Sequence, residues 1–261
     1  MCTLIAVHRL VPGAPLVVAA NRDEYLDRPT EGLALRPTTA GTVLAPRDVK
    51  AGGTWLGLNA KGVFAAVTNR RSQHQRTDSR SRGLLVLDAL TADCARDAMK
   101  NLESLAPSSY NAFNLFVADK QDAFVMTYEE GAQVQALAPG IHVIGNVDPK
   151  YVDEPKVARV HERTEKALEQ SSARVLDELA TVCSEHDSGD GPLGDICVHT
   201  ETYGTRSSFL LQLAELEEET RLFFADGPPC KTDYENFTDL VPELSRMASY
   251  EELDQATRVD T

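Results

Sequence analysis

The chain has 261 residues, 42% of them hydrophobic and 25% charged, which indicates a globular protein with one sizeable core. Its formal net charge of −14 argues against a nucleic-acid partner, because phosphate binding needs a basic face, and no apolar run approaches the length of a membrane span. The five cysteines, odd in number and without a C-x-x-C pair, predict neither a disulfide framework nor a thiolate zinc site, and they favour a reducing cytoplasm.

The first predicted element is a hairpin. Thr3–Val7 and Leu16–Ala20 are apolar runs of strand length, and the segment 11–15 between them contains the Pro and Gly of a turn. The second run leads straight into four polar residues, Asn21-Arg22-Asp23-Glu24, which could simply be a strand end that meets water.

Further strands and helices follow in separate groups. Strands are predicted at Thr54–Leu58, Val63–Thr68, Phe113–Ala118, Ala123–Tyr128, Val134–Ala138, His142–Gly145, Ser207–Leu213 and Arg221–Phe224. Helices are predicted at Gly83–Leu90, at Cys94–Leu105 with Thr91 as N-cap, at Lys156–Leu168 and at Ala173–His186. Grouped strands and grouped helices favour an α+β fold over alternating β-α-β units. We predict one domain, residues 1–240, and an acidic, loosely attached tail, residues 241–261.

Cys2 is the first candidate for chemistry. The residue after the initiator is small, so removal of Met1 is expected, and the mature chain would then begin with a thiol beside a free α-amine. A thiol becomes a strong nucleophile next to a base, and an α-amine titrates near neutral pH. On position alone, an ordinary small residue remains the safer interpretation of Cys2.

Two charged residues and the single tryptophan are the next candidates. The hairpin brings Arg22 and Asp23 close to Cys2, where a guanidinium would lower the pKa of the thiol and a carboxylate could orient the α-ammonium group. Trp55 follows Gly52-Gly53-Thr54 and could line a pocket, although a core position is the simpler reading.

Polar residues at three further positions complete the candidates. Asn69 and Asn146 follow predicted strands, where an amide is often a turn residue and is also a suitable oxyanion donor. Arg206 precedes a late strand and could bind a carboxylate or lie on the surface. The six histidines form no metal-ligand spacing, so no metal is predicted.

Taken together, these motifs resemble the NRDE family, which includes the transport and Golgi organisation protein 2 group. The resemblance covers roughly residues 1–225. It rests on Met1-Cys2-Thr3, Asn21-Arg22-Asp23-Glu24, Arg28-Pro29, Gly52-Gly53-Thr54-Trp55-Leu56-Gly57, Thr68-Asn69, Ser81-Arg82-Gly83, Gly145-Asn146 and Tyr203-Gly204-Thr205-Arg206-Ser207-Ser208.

The family is similar to cysteine N-terminal nucleophile (Ntn) hydrolases of the penicillin V acylase and bile salt hydrolase type. The resemblance implies a four-layer αββα sandwich with two antiparallel sheets. It implies that Cys2 is the nucleophile, that Asp23 lies near the α-amine, and that Asn69 and Asn146 stabilise an oxyanion. Arg206 matches a late active-site arginine loosely. The acylases place another arginine a few residues before the aspartate, whereas Arg22 here directly precedes Asp23.

Two functions follow from the resemblance. The first is hydrolysis or transfer of an acyl group at an amide or related bond of a small molecule, with no cofactor required. The second is non-enzymatic trafficking of haem or an acyl lipid in the same pocket, with Cys2 or His8 as a possible contact to haem iron. A scaffold with a vestigial pocket is the third reading, because a fold does not determine a function.

Overall fold

The computed structural model describes residues 2–39, 41–72, 75–170 and 174–259, which form thirteen strands in two antiparallel sheets. The predicted removal of Met1 falls outside these residues. The strands of the first half are β1 (Thr3–Val11), β2 (Ala14–Tyr25), β3 (Thr30–Thr38), β4 (Gly41–Asp48), β5 (Leu56–Asn59), β6 (Phe64–Asn69) and β7 (Phe113–Ala118). The remaining strands are β8 (Ala123–Tyr128), β9 (Ala132–Ala136), β10 (Gly140–Ile144), β11 (Tyr203–Leu213), β12 (Arg221–Ala225) and β13 (Glu235–Asn236).

The two sheets have different connections. The first has the order β10-β1-β2-β11-β12-β13, so the N-terminal hairpin lies at its centre between strands from the second half of the chain. The second has the order β3-β4-β5-β6-β7-β8-β9, a meander in which each strand pairs with its successor. Antiparallel neighbours of this kind need only short connections.

The described residues also form five α-helices, the first four of which cover the outer faces of the sheets. Their bounds are α1 (Arg82–Ala89), α2 (Ala95–Leu102), α3 (Pro155–Gln170), α4 (Val175–Ser184) and α5 (Leu240–Val259). One apolar core lies between the sheets, a second packs α1 and α2 against the meander, and a third packs α3 and α4 against the other sheet. The order of layers is therefore αββα, as the resemblance implied. No helix in the described residues combines the length and the apolar character that crossing a membrane requires.

Residues 21–23 are not the exposed strand end that their polarity allowed. Strand β2 continues to Tyr25, and Asn21, Arg22 and Asp23 are all buried within it. This happens because β2 is a central strand that pairs with β1 on one side and with β11 on the other. Alternation then directs Asn21 and Asp23 towards the helical layer and Arg22 towards the opposite sheet.

Other elements differ from prediction for local reasons. The sequence pattern does not predict strands β3 and β4, since each contains a proline, a residue that is uncommon inside a sheet. The N-cap of α2 is Cys94, whose Sγ accepts a hydrogen bond from the Asp97 amide, and not Thr91. The predicted acidic tail begins as helix α5, and its Val241 and Leu244 are buried in the core between the sheets.

A close backbone contact connects the start of α1 to residues 53 and 54, which lead into β5. The Thr54 amide donates to the Gly83 carbonyl oxygen at 3.1 Å. A Cβ at Gly53 would lie 2.3 Å from the carbonyl carbon of Gly83 and 2.6 Å from the amide nitrogen of Leu84. Only glycine at residue 53 therefore allows the first turn of α1 to approach this closely.

We expect Gly53→Ala to lower the free energy of unfolding by about 3 kcal/mol, because the backbone of α1 must move away from residue 53. Urea denaturation followed by circular dichroism measures this change. The control is Gly131→Ala, where an added Cβ meets no atom within 4 Å and little change is expected. Equal stability of both variants would contradict the argument.

Candidate active site

Cys2 is half-buried and lies directly before β1, where it opens onto a cleft at one end of the sandwich. Because Thr3 pairs with Asn21 in the sheet, Cys2 is the neighbour of Arg22 across the strands. The cleft has a volume of about 370 Å³ and receives residues from both sheets and from the start of α1. A second, much smaller cavity of about 20 Å³ contacts the other side of Cys2.

Asp23 is the buried carboxylate next to Cys2, and the Cys2 Sγ lies 4.0 Å from its carbonyl oxygen. Thr205 donates from Oγ1 to the Asp23 Oδ1 at 2.7 Å, and Tyr203 donates from its hydroxyl to the Asp23 carbonyl at 2.8 Å. The Lys156 Nζ is 3.9 Å from the Asp23 Oδ2. Burial raises the pKa of Asp23 to about 6, against the opposing effect of Lys156.

Asn21 has a structural role beside this carboxylate. Its amide donates to the carbonyl oxygens of Cys183, at 2.8 Å, and Ile196, at 3.1 Å, and its oxygen accepts from the Ser208 hydroxyl at 2.7 Å. The first residue of the NRDE motif thus connects the end of α4 and the segment around Ile196 to the central strand. Satisfied buried polar groups of this kind rigidify their surroundings.

Arg22 and Trp55 form one wall of the cleft. The guanidinium carbon of Arg22 lies 4.1 Å from the centre of the Trp55 ring, a distance typical of a cation–π contact. The Arg22 Nη2 is 3.9 Å from the Glu24 Oε2, and its Nη1 is buried and has no hydrogen-bond partner among the described residues. Trp55 therefore lines the pocket, the alternative that the sequence had left open.

Two opposing effects act on the pKa of the Cys2 thiol. Burial raises this pKa, and the Arg22 guanidinium lowers it, as the sequence predicted. The effect of burial is the larger one, because removal of the thiolate from water outweighs one nearby cation. A buried thiol in this position needs a base to accept its proton when it attacks.

Asn69 and Asn146 line two different cavities, and Cys2 lines both of them. Asn69 ends β6, is exposed and lines the larger cleft, whereas Asn146 is buried and lines the small cavity. The Asn146 side-chain amide donates a hydrogen bond to the backbone carbonyl of Asn69. One further N–H of the Asn146 amide remains for another acceptor, since an amide carries two.

Six of the seven predicted site residues therefore line the cavities at Cys2, and one does not. Arg206 lies in β11 at a β-bulge between Thr205 and Ser207, and it is not among the described residues that line either cavity. Arg206 therefore takes no part in the reaction that we propose.

The structure adds residues that the sequence did not assign. Lys156 and Thr205 reach Asp23, and Arg82 enters the cleft from the start of α1. Burial lowers the pKa of Arg82, and the charge of a Cys2 thiolate would oppose this shift. Thr205 and Arg82 belong to motifs that the sequence analysis singled out, whereas no sequence signal points to Lys156.

Two solved structures define the class of this fold. An N-acylethanolamine-hydrolyzing acid amidase orthologue from Caenorhabditis elegans superposes with a TM-score of 0.53 at 12% identity, covering 81% of this chain and 92% of its own. A variant of conjugated bile acid hydrolase from Clostridium perfringens superposes with a TM-score of 0.55 at 12% identity, covering 92% and 93%. The chain thus has the N-terminal nucleophile hydrolase fold.

Sequence comparison then identifies the family. A profile of the Transport and Golgi organisation 2 family matches residues 1–222, and the chain belongs to that family. The Transport and Golgi organization 2 homolog of Mus musculus is 30% identical over 229 residues, 75% of this chain and 81% of the mouse protein. The homolog of Homo sapiens is 38% identical over 111 residues, 41% of this chain and 40% of the human protein. The resemblance inferred from the motifs is confirmed.

Proposed function

We propose that this protein is an N-terminal cysteine hydrolase or acyltransferase that acts on an amide or related acyl bond of a small molecule. The observation that carries the proposal is the position of Cys2, at the base of an open cleft and beside the buried carboxylate of Asp23. The same chemistry requires a reducing compartment such as the cytoplasm, because an oxidised sulfur cannot attack a carbonyl.

The reaction begins when the Cys2 sulfur attacks the acyl carbon of the substrate. Removal of Met1 frees the α-amine, which accepts the thiol proton and becomes an ammonium group. Ionised Asp23 stabilises that ammonium group, while Thr205 and Lys156 hold the carboxylate in place. Asn69 and Asn146 supply amide N–H groups for the oxyanion that forms.

The second half of the reaction releases both products. The C–N bond breaks as the α-ammonium returns its proton to the departing amine, which leaves an acyl thioester on Cys2. Water, or another acceptor in the case of a transferase, then attacks the thioester and restores the thiol.

The charge of the cleft indicates which substrates it favours. Arg22 and Arg82 lie near Cys2 and lose solvation there, and the Arg22 Nη1 has no hydrogen-bond partner in the part of the chain that the structure describes. A substrate carboxylate, sulfonate or phosphate would pair with these guanidinium groups. We therefore expect an acyl compound that carries an anionic group near the scissile bond.

A larger apolar cavity supports a second candidate function, the binding of an acyl lipid without turnover. It has a volume of about 750 Å³, lies between β8–β10 and α3, and shares Val143 and Val157 with the small cavity at Cys2. That volume is in the range of small-molecule binding sites, and its walls suit a hydrocarbon chain.

Haem fits this apolar cavity poorly. Haem propionates pair with arginine or lysine, whereas the ionisable groups among the described lining residues are His142, His161, Glu162 and Glu165. His8, the other histidine considered for haem, is buried within β1 and is not among the lining residues. We therefore favour an acyl chain over haem as the occupant.

Intact-mass spectrometry tests the proposal. The purified protein is incubated with a panel of N-acyl amides whose amine carries a carboxylate, and then quenched in acid. We expect a chain that lacks Met1 and gains the mass of one acyl group, which peptide mapping places on Cys2.

The outcomes separate the two candidate functions. A chain that retains Met1, or that never acquires an acyl group from any member of the panel, contradicts the enzymatic proposal. A fatty-acyl compound that survives native mass spectrometry as a non-covalent complex, with no adduct after acid, would support the carrier instead.

A further inference from the structure

A cluster of soft ligand atoms lies outside the candidate active site. Cys197 is buried, and His199 and Cys230 are partly exposed, so the cluster has an opening to solvent. The Cys197 and Cys230 Sγ atoms are 3.6 Å apart. The His199 Nε2 lies 3.5 Å from the Cys197 Sγ and 3.1 Å from the Cys230 Sγ.

These separations match the edges of a zinc coordination tetrahedron. With Zn–S of about 2.3 Å and Zn–N of about 2.0–2.1 Å, tetrahedral angles place two sulfurs roughly 3.8 Å apart and a sulfur and a nitrogen roughly 3.5 Å apart. A cation at the centre could therefore reach all three atoms with little movement of the side chains.

The chain assembles this cluster in a way that spacing alone conceals. Cys197 and His199 are two residues apart, so in extended backbone their side chains lie on the same side. Cys230 lies in the turn after β12, and it is 33 residues from Cys197 in sequence. The C-x-x-C and H-x-x-x-H patterns used to exclude a metal from the sequence do not describe such a set.

From this geometry we propose that Cys197, His199 and Cys230 form a Zn²⁺ site whose fourth ligand is water or a group supplied from outside the cluster. Two thiolates and one imidazole suit a borderline-soft d¹⁰ cation and are poor ligands for Mg²⁺ or Ca²⁺. Binding displaces one proton from each thiol, so the affinity for zinc rises with pH.

The cluster is also connected to Asp23 through Val198 and Thr205. The Val198 amide, between Cys197 and His199, donates to the Thr205 Oγ1 at 2.8 Å, and the same hydroxyl donates to the Asp23 Oδ1 at 2.7 Å. A cation that holds Cys197 and His199 would therefore also hold the segment that positions Thr205. The three proposed ligands are not among the described residues that line the cavities at Cys2.

Zinc binding to the full chain tests the proposal. The protein is purified under reducing conditions, stripped with a chelator and titrated with ZnCl₂, and bound zinc is counted by mass spectrometry of the metal. We expect one equivalent of tightly bound zinc and a higher melting temperature with zinc, because a ligand that binds only the folded state stabilises it. X-ray absorption of the wild-type complex should show two sulfur neighbours and one imidazole.

Three variants test the assignment of the ligands. Cys230→Ser and His199→Gln should each weaken zinc binding by at least about tenfold. The control is Cys94→Ser, which changes a partly exposed cysteine in another part of the fold and should bind zinc as the wild type does.

The opposite results overturn the proposal. One such result is a wild-type chain that binds less than one tenth of an equivalent of zinc. Others are an affinity for zinc that does not change in Cys230→Ser and His199→Gln, or an X-ray absorption spectrum that does not show two sulfur neighbours of zinc. Formation of a Cys197–Cys230 disulfide in the purified protein, with no zinc bound after its reduction, also overturns it. The wild-type measurements alone decide the matter if a variant fails to fold.

Discussion

Replacing Cys2 by serine is expected to lower kcat/KM for acyl-bond cleavage by roughly 10³-fold or more, because the reaction then loses its covalent nucleophile. A serine hydroxyl fits the same space but ionises far less readily than a thiol. Release of the amine from N-acyl amides whose amine carries a carboxylate reports the rate of cleavage, and intact mass reports the acyl adduct, which should be absent from the variant.

Cys94→Ser is the matched control for this prediction. Cys94 caps helix α2 through its Sγ, and serine is itself a favoured N-cap, so the variant should fold well and keep full activity. Activity that survives in Cys2→Ser at more than one tenth of the wild-type rate would place the chemistry elsewhere.

Activity should also fall as the pH decreases through about 6. Burial raises the pKa of Asp23 to about 6, so the carboxylate is ionised above this pH and neutral below it. A neutral Asp23 cannot stabilise the α-ammonium, so below this pH kcat/KM should decrease about tenfold more per pH unit than protonation of the α-amine alone would cause. Asp23→Asn should lose roughly 10²-fold at pH 7.5 and should show only the decrease caused by the α-amine. The pH profile of kcat/KM measures both effects.

Thr205→Val gives a graded version of the same test. The hydrogen bond from Thr205 lowers the pKa of Asp23, so its removal should raise that pKa further and move the acidic limb to higher pH. Asp27→Asn changes an exposed carboxylate and should leave the profile as it is. A wild-type profile that is flat between pH 5 and pH 8 would contradict the role of Asp23.

The Asn-Arg-Asp-Glu run shows how far the sequence could lead. Its composition allowed an exposed strand end, and its place in the hairpin predicted that Arg22 and Asp23 lie close to Cys2. The structure agrees with the second and not with the first, because β11, almost 200 residues away in sequence, pairs with β2 and buries the run. Local polarity could not reveal a partner strand so distant in the chain.

The sequence also could not identify residues that reach a functional group from another layer of the fold. Lys156 lies at the start of α3, where a lysine is an ordinary helix residue, and only the packing of α3 on the central sheet brings its Nζ to Asp23. The same holds for Cys230, which joins Cys197 and His199 only after β12 pairs with β11.

The amino-acid sequence by itself predicted an α+β class and most of the strands and helices from periodicity. Its local motifs resembled the NRDE family, and that resemblance implied the αββα sandwich and pointed to Cys2 and Asp23. The tertiary structure alone decided that the thiol pKa is raised, that Thr205 and Lys156 hold Asp23, and that three distant ligand atoms meet. The physical reason is that burial and electrostatic neighbours depend on which segments pack together, and that information is spread over the whole chain.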